Sequence, residues 1–268
     1  QQTSQTNKSK NIGCLNMFVS SSWLKEHIDD PELVILDTRP KTVFSNSHMR
    51  NSISLTVDEL IQISLSGAHL APDPQKTSAL LGQFGIDDTK TLVVTGELMD
   101  PSTFRVAWTL EYLGHKNTKI LDVGLDTLQN LGIEFTGEQI KLKPTRFVTN
   151  LQDNIRIQAE ELRNLIGKVT ILDARSPQEF FGGHIPNSIL FPFTDGLGQD
   201  GMLLATKEYI EKLFLEKNIP KNSEIICYCM HGHRASSLYY QAKMAGFEKV
   251  RLYDGSFIDW YYKRLPLE

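Results

Sequence analysis

Cysteine is scarce in this chain. Three residues in 268, Cys14, Cys227 and Cys229, are too few for a disulfide framework, and their spacing offers no zinc quartet. No metal site and no cofactor are expected. Long hydrophobic runs are also missing, none approaching the length of a membrane span, so a soluble chain without a membrane span is expected. Charge of one sign is not in excess: the net charge of -4 argues against nucleic acid or an anionic membrane as the main partner. What is present is an ordinary globular composition, 40% hydrophobic and 22% charged, over a length that suits two domains, each able to bury its own core. The chain opens on Gln1, and residues 1–17 read as a polar tail, of low complexity as far as Asn11. That opening suits either a periplasmic chain after signal-peptide removal or a shortened cytoplasmic one.

Past the tail, apolar runs alternate with helical periodicity. Leu33 to Leu36 is a continuous apolar run suited to a buried strand, and it ends at Asp37-Thr38-Arg39-Pro40. A helix from about Gln75 to Phe84 stops at Gly85; Leu92 to Val94 is a strand; Val106, Leu110 and Leu113 mark a helix closed by Gly114. Strands alternating with helices read as an α/β domain with a mainly parallel sheet over residues 18–136. Residues 137–150 lose periodicity and gain Lys141, Lys143, Pro144 and Arg146, the character of a linker. Residues 151–268 then repeat the order of elements.

The repeat is numerical. Asp37 and Asp173, Arg39 and Arg175, His48 and His184, and Asn51 and Asn187 all stand 136 positions apart, and Gly114 and Gly246 close equivalent helices. One α/β unit has been duplicated in tandem. The copies therefore act as controls for each other: where the second has Cys229 after its strand, the first offers Thr95, Gly96 or Glu97, none of them a thiol. The first copy is expected to be catalytically silent. His184 and Asp173, which recur in that copy as His48 and Asp37, are expected to be structural.

Residues 224–237, Glu-Ile-Ile-Cys-Tyr-Cys-Met-His-Gly-His-Arg-Ala-Ser-Ser, read as strand, loop and helix, with Leu238, Ala242 and Ala245 on one helical face. Such a turn aims backbone N–H groups and the positive end of a helix dipole at one sulfur, the setting that turns a thiol into a thiolate nucleophile. Cys227 and Cys229 are expected to face opposite ways, with Cys227 buried and inert, as Cys14 is, and Cys229 exposed at the strand end. Arg234 suits an oxyanion donor or a persulfide, or else a nearby carboxylate. Arg175 is either a substrate contact or a partner of Asp173 or Glu179. His231 and His233 are either substrate donors and acid–base groups or solvated loop residues, and Gly232 allows a close approach that a side chain would block.

Asp173-Ala-Arg-Ser-Pro-Gln-Glu179-Phe-Phe-Gly-Gly-His-Ile-Pro186, the Cys229 loop and Leu252-Tyr-Asp-Gly-Ser-Phe-Ile-Asp-Trp260 together resemble the rhodanese family. Phe191-Pro-Phe, Asp200-Gly201 and Phe214 to Ile219 resemble its two-domain thiosulfate and 3-mercaptopyruvate sulfurtransferases, so the likeness runs from Phe18 onward. The resemblance implies tandem rhodanese-like domains, each a mainly parallel doubly wound sheet flanked by helices, with the catalytic cysteine in the second. Carried over by position, Cys229 forms the persulfide and Met230, His231, Gly232, His233 and Arg234 cradle it. Arg175 lies near the substrate anion, with Asp173 and Glu179 supporting. The implied partners are a small anionic sulfur donor and a thiol or cyanide acceptor, a protein acceptor included. Two-domain members commonly carry a second arginine at the position of Glu179 and end the loop in Thr rather than Arg234, departures that bear on the donor, with thiosulfate favoured over 3-mercaptopyruvate. Two other readings compete: a cysteine phosphatase on this fold, whose loop holds five residues between Cys and Arg where Met230 to His233 make four, and a non-enzymatic binding module.

Overall fold

The computed structural model describes residues 17–268; Cys14 and nearly all of the polar tail lie outside them. The first half is built on a parallel sheet in the order Phe18–Val19, Thr118–Leu121, Thr91–Thr95, Leu33–Asp37, Ser52–Ser54. The second is built on Ser188–Leu190, Thr170–Asp173, Ile225–Tyr228, Val250–Leu252, also parallel. Read from the opposite edge, the order is the same. The place of the first half's edge strand is taken in the second by a single parallel bridge between Arg156 and Leu252. All five residues of Leu33–Asp37 are buried, as a parallel strand covered on both faces requires.

Helices cover these sheets, and two of them join the halves. Ser102–Tyr112 and His233–Met244 occupy equivalent places and pack against one another. Each is closed by a glycine in the left-handed region, Gly114 at φ +101° and Gly246 at +93°, which a side chain would strain. Phe104 of one meets Tyr240 of the other with ring centroids 5.9 Å apart, and Trp108 and Leu110 from the first and Leu238 and Ala242 from the second belong to a single hydrophobic core that crosses between the halves. Smaller clusters around Leu24 and Leu128, and around Ile157 and Trp260, lie on the outer faces.

The halves also exchange loops. An antiparallel pair, Gln62–Ile63 with His69–Leu70, reaches across so that the amide of Ala71 donates to Asp254 Oδ2 at 2.6 Å. In the other direction the amide of Leu203 donates to the carbonyl of Asp122 at 2.8 Å. No helix among the described residues is long and apolar enough to cross a membrane.

Candidate active site

In the second half the chain runs from Thr170–Asp173 outward to Ser188–Leu190 and then returns to the other side, to Ile225–Tyr228. The order therefore reverses between those central strands, and their carboxyl ends open the crevice where parallel sheets bind ligands. Cys229 follows Tyr228 at that crevice, and the chain after Asp173 flanks it.

Cys229 is buried, 1% exposed, and it shares one core cluster with Cys227. The expectation that the two cysteines face opposite ways, with Cys229 exposed, is therefore corrected. Strand side chains alternate with a period of two, so residues two apart share a face. Burial pushes the Cys227 thiol far up, out of the range in which it ionises.

The loop is short and closely braced. Gly232 sits in the left-handed region at φ +89° as the N-cap of His233–Met244, and its amide donates to Cys229 Sγ at 3.1 Å. The positive end of a twelve-residue helix thus begins beside the sulfur. The amide of Cys229 donates to Ser256 Oγ at 3.1 Å, and that hydroxyl donates to the carbonyl of Tyr253 at 2.8 Å. A Cβ on Gly232 would lie 2.8 Å from both Arg105 Nη1 and the carbonyl oxygen of Asp254, so only glycine fits there.

Arg234 does not present an empty fork. It closes on Glu179, Nη1 to Oε2 at 2.7 Å and Nη2 to Oε1 at 2.8 Å. Glu179 also accepts from the amide and hydroxyl of Ser176, a capping box at the start of helix Pro177–Phe181. The Arg234 bond, aided by the Ser176 bonds, holds the Glu179 carboxyl down at about 2.

Arg175 is likewise committed, with Nε and Nη2 on the Asp173 carboxylate, the shortest contact 2.7 Å, and Nη2 also on the carbonyl of Gly183. Arg39 repeats this arrangement on Asp37 and the carbonyl of Ser47 in a half that has no cysteine at the equivalent site. His184 stacks on Phe180 with centroids 3.7 Å apart, as His48 does on Phe44 at 3.8 Å. Asn187 and Asn51 both take positive φ, 63° and 65°. The residues repeated between the halves hold the fold.

Two residues near the loop had no signal in the sequence, because both come from the first half. His69 Nδ1 lies 3.0 Å from His233 Nε2, and its ring is 5.0 Å from that of His231. Burial first, then neighbouring cationic groups, lowers all three histidines, His233 to about 3, so the cluster is neutral at neutral pH. Arg105 is the other, and its backbone-facing contacts include His69. Among the described residues no group of three or more His, Cys, Asp or Glu is arranged to hold a metal.

Strand register identifies the blank in the first half. Asp37 pairs with Thr95 as Asp173 pairs with Tyr228, so Gly96 stands where Cys229 does. The backbone agrees: Leu125 donates to the carbonyl of Gly96 as Phe257 donates to that of Cys229. A Cβ on Gly96 would fall 2.0 Å from Thr103 Oγ1 and 2.6 Å from Thr38 Oγ1. Val43 stands where Glu179 does, so the ion pair is absent there as well.

Two copies of one α/β unit, a cysteine cradle at the switch point of the second and a filled counterpart in the first, define a tandem-domain protein with one thiol site. The chain belongs to the rhodanese family: the Rhodanese-like domain matches residues 20–131 and again residues 158–263. It is 25% identical to the "Putative thiosulfate sulfurtransferase" of Mycolicibacterium smegmatis, over 91% of this chain and 94% of that one. It is also 25% identical to the "Probable 3-mercaptopyruvate sulfurtransferase" of Pseudomonas aeruginosa, over 90% and 94% of the two chains. The fold superposes on the 3-mercaptopyruvate sulfotransferase SseA of Escherichia coli with a TM-score of 0.82, at 23% identity over 90% of this chain and 99% of that one.

Proposed function

We propose that this rhodanese-family sulfurtransferase carries sulfane sulfur on Cys229, taking it from a small donor and passing it to cyanide or a thiol. The observation that carries the reading is the bond from the Gly232 amide to Cys229 Sγ at the start of a helix, in a crevice whose duplicate holds a glycine. In this reading residues 18–136 form the silent domain and residues 151–268 the catalytic one, joined by 137–150.

The chemistry has two displacements. The Cys229 thiolate attacks the outer sulfur of thiosulfate; the S–S bond of the donor breaks, sulfite leaves with its electron pair, and Cys229 is left as a persulfide anion. Cyanide or a thiolate then attacks the outer sulfur and Cys229 leaves as thiolate. With 3-mercaptopyruvate the leaving group is instead an enolate that needs a proton. Met230 to Arg234 form the cradle, Asp173 with Arg175 braces the strand end, and Glu179 fixes Arg234. That fixed fork supports sulfur transfer over the phosphatase reading, because a phosphate-wrapping arginine needs its donors free. Thiosulfate remains the favoured donor.

The test offers thiosulfate and 3-mercaptopyruvate separately, follows thiocyanate formation from cyanide, and weighs the protein for one added sulfur atom. Turnover with at least one donor and an adduct that disappears in Cys229→Ser are expected. A chain that takes up no sulfur from either donor overturns the reading.

A further inference from the structure

Helix Ser102–Tyr112 belongs to the half without a thiol, yet it sends a cation to the Cys229 loop. Arg105 is entirely buried. Its Nη2 donates to the carbonyl of His69 at 2.6 Å, its Nε to Thr109 Oγ1 at 3.4 Å, and its guanidinium stands 5.4 Å from the centroid of the Trp108 ring. Nη1 has no hydrogen-bond partner, although it is buried. That nitrogen is the one 2.8 Å from the position of a Cβ on Gly232, the residue whose amide holds the sulfur.

A buried cation with an idle N–H is costly unless an opposite charge stands near. The other charged and titratable groups at the loop are engaged or neutral. Asp254 is closed on Arg156, Nη2 to Oδ2 at 2.9 Å, and accepts the Ala71 amide. Glu179 is closed on Arg234. His69, His231 and His233 are held neutral, Asp58 acts on His69, and the Cys227 thiol does not ionise. Burial lowers Arg105 to about 10; Asp254 first and then Cys229 favour its charged form and Arg156 opposes it, and with Asp254 already closed on Arg156 the sulfur of Cys229 is the remaining site for a negative charge.

Building on the reading of Cys229 as the sulfur carrier, we propose that Arg105 is a positioning residue, the fixed counter-charge that the silent domain presents to the Cys229 loop. It favours the thiolate and persulfide anions over their protonated forms. The silent domain is thus half of the site's electrostatics, and its role is to dock that cation rather than to react.

The experiment compares full-length protein with Arg105→Lys, Arg105→Gln and Arg105→Met. Alkylation of Cys229 by iodoacetamide is followed by peptide mass at pH 7 and pH 9, alongside persulfide loading from thiosulfate. Loss of the charge is expected to slow alkylation at pH 7 about tenfold, the effect of one unit in thiol ionisation, with little change at pH 9. Arg105→Lys should keep most of the pH 7 rate. Arg105→Met keeps much of the side chain's length and packing without its charge, and circular dichroism on each variant guards against comparing a merely unfolded protein. Folded Gln and Met variants with the parental ratio of the two rates would overturn the proposal. A shifted ratio in a protein that takes sulfur from no donor would leave Arg105 in this role and overturn the sulfur-carrier reading instead.

Discussion

Glu179 has no counterpart in the first half, where Val43 stands, and its bond to Arg234 gives it a pH signature. Because its carboxyl is held at about 2, below the ordinary 4.5, the pair's stabilisation is complete above pH 4.5 and is lost as pH falls towards 2. Glu179→Gln is therefore expected to lower unfolding stability by about 1–2 kcal/mol at pH 7, a figure reduced for partial exposure. The deficit should shrink in urea titrations at pH 3, and an equal deficit at both pH values would show that the bond matters through packing alone. At this scale the sequence was legible where a residue announces itself by type: Cys229, Arg234 and the Asp173–Arg175 pair could all be named. It was not legible for burial. Cys229 lies within a core shared with Cys227, a consequence of strand period that the run Ile225 to Cys229 contains but that requires its two faces to be assigned correctly.

At the scale of the element, the loop between Ile225–Tyr228 and His233–Met244 is shaped by one backbone conformation. Gly232→Ala must adopt φ +89° with a side chain and also push against Arg105 and a backbone carbonyl. A loss of about 1–3 kcal/mol is expected, together with loss of sulfur loading at temperatures where the variant is still folded by circular dichroism. Retained loading would mean that the loop accepts a side chain at this φ without losing the cradle around Cys229. The strands and helices were readable because apolar runs and periodicity are local, and Gly85 and Gly114 close helices where helix-ending glycines are expected. The alignment of Gly96 with Cys229 was not, since Thr95, Gly96 and Glu97 are equally compatible until hydrogen-bond register decides between them.

The whole molecule adds what crosses between the halves, and here sequence has no local signal at all. Arg105 reaches the Cys229 loop because two helices dock, His69 because the pair Gln62–Ile63 with His69–Leu70 reaches across, and neither residue lies in a motif. The same seam holds Glu111, which accepts from Tyr239 Oη at 3.2 Å and Tyr240 Oη at 3.1 Å. Burial raises this carboxyl, so the folded state bears a cost that is absent below its unfolded value, grows as pH rises from that value to the folded one, and is complete above it. Glu111→Gln keeps an acceptor without that cost, and its melting temperature at pH 7 is expected to be unchanged or about 2–4 °C higher. A marked fall in calorimetry would instead make the ionised carboxylate an essential part of the seam. Gly96 carries the longest consequence. Its neighbours Thr38 and Thr103 have closed over the space that a side chain would need, with their hydroxyls 2.6 Å and 2.0 Å from its Cβ position. A second thiol therefore cannot be installed in the first half by one substitution: Gly96→Cys would need Thr38 and Thr103 trimmed as well, so the molecule accepts one reactive centre per chain unless three positions change together.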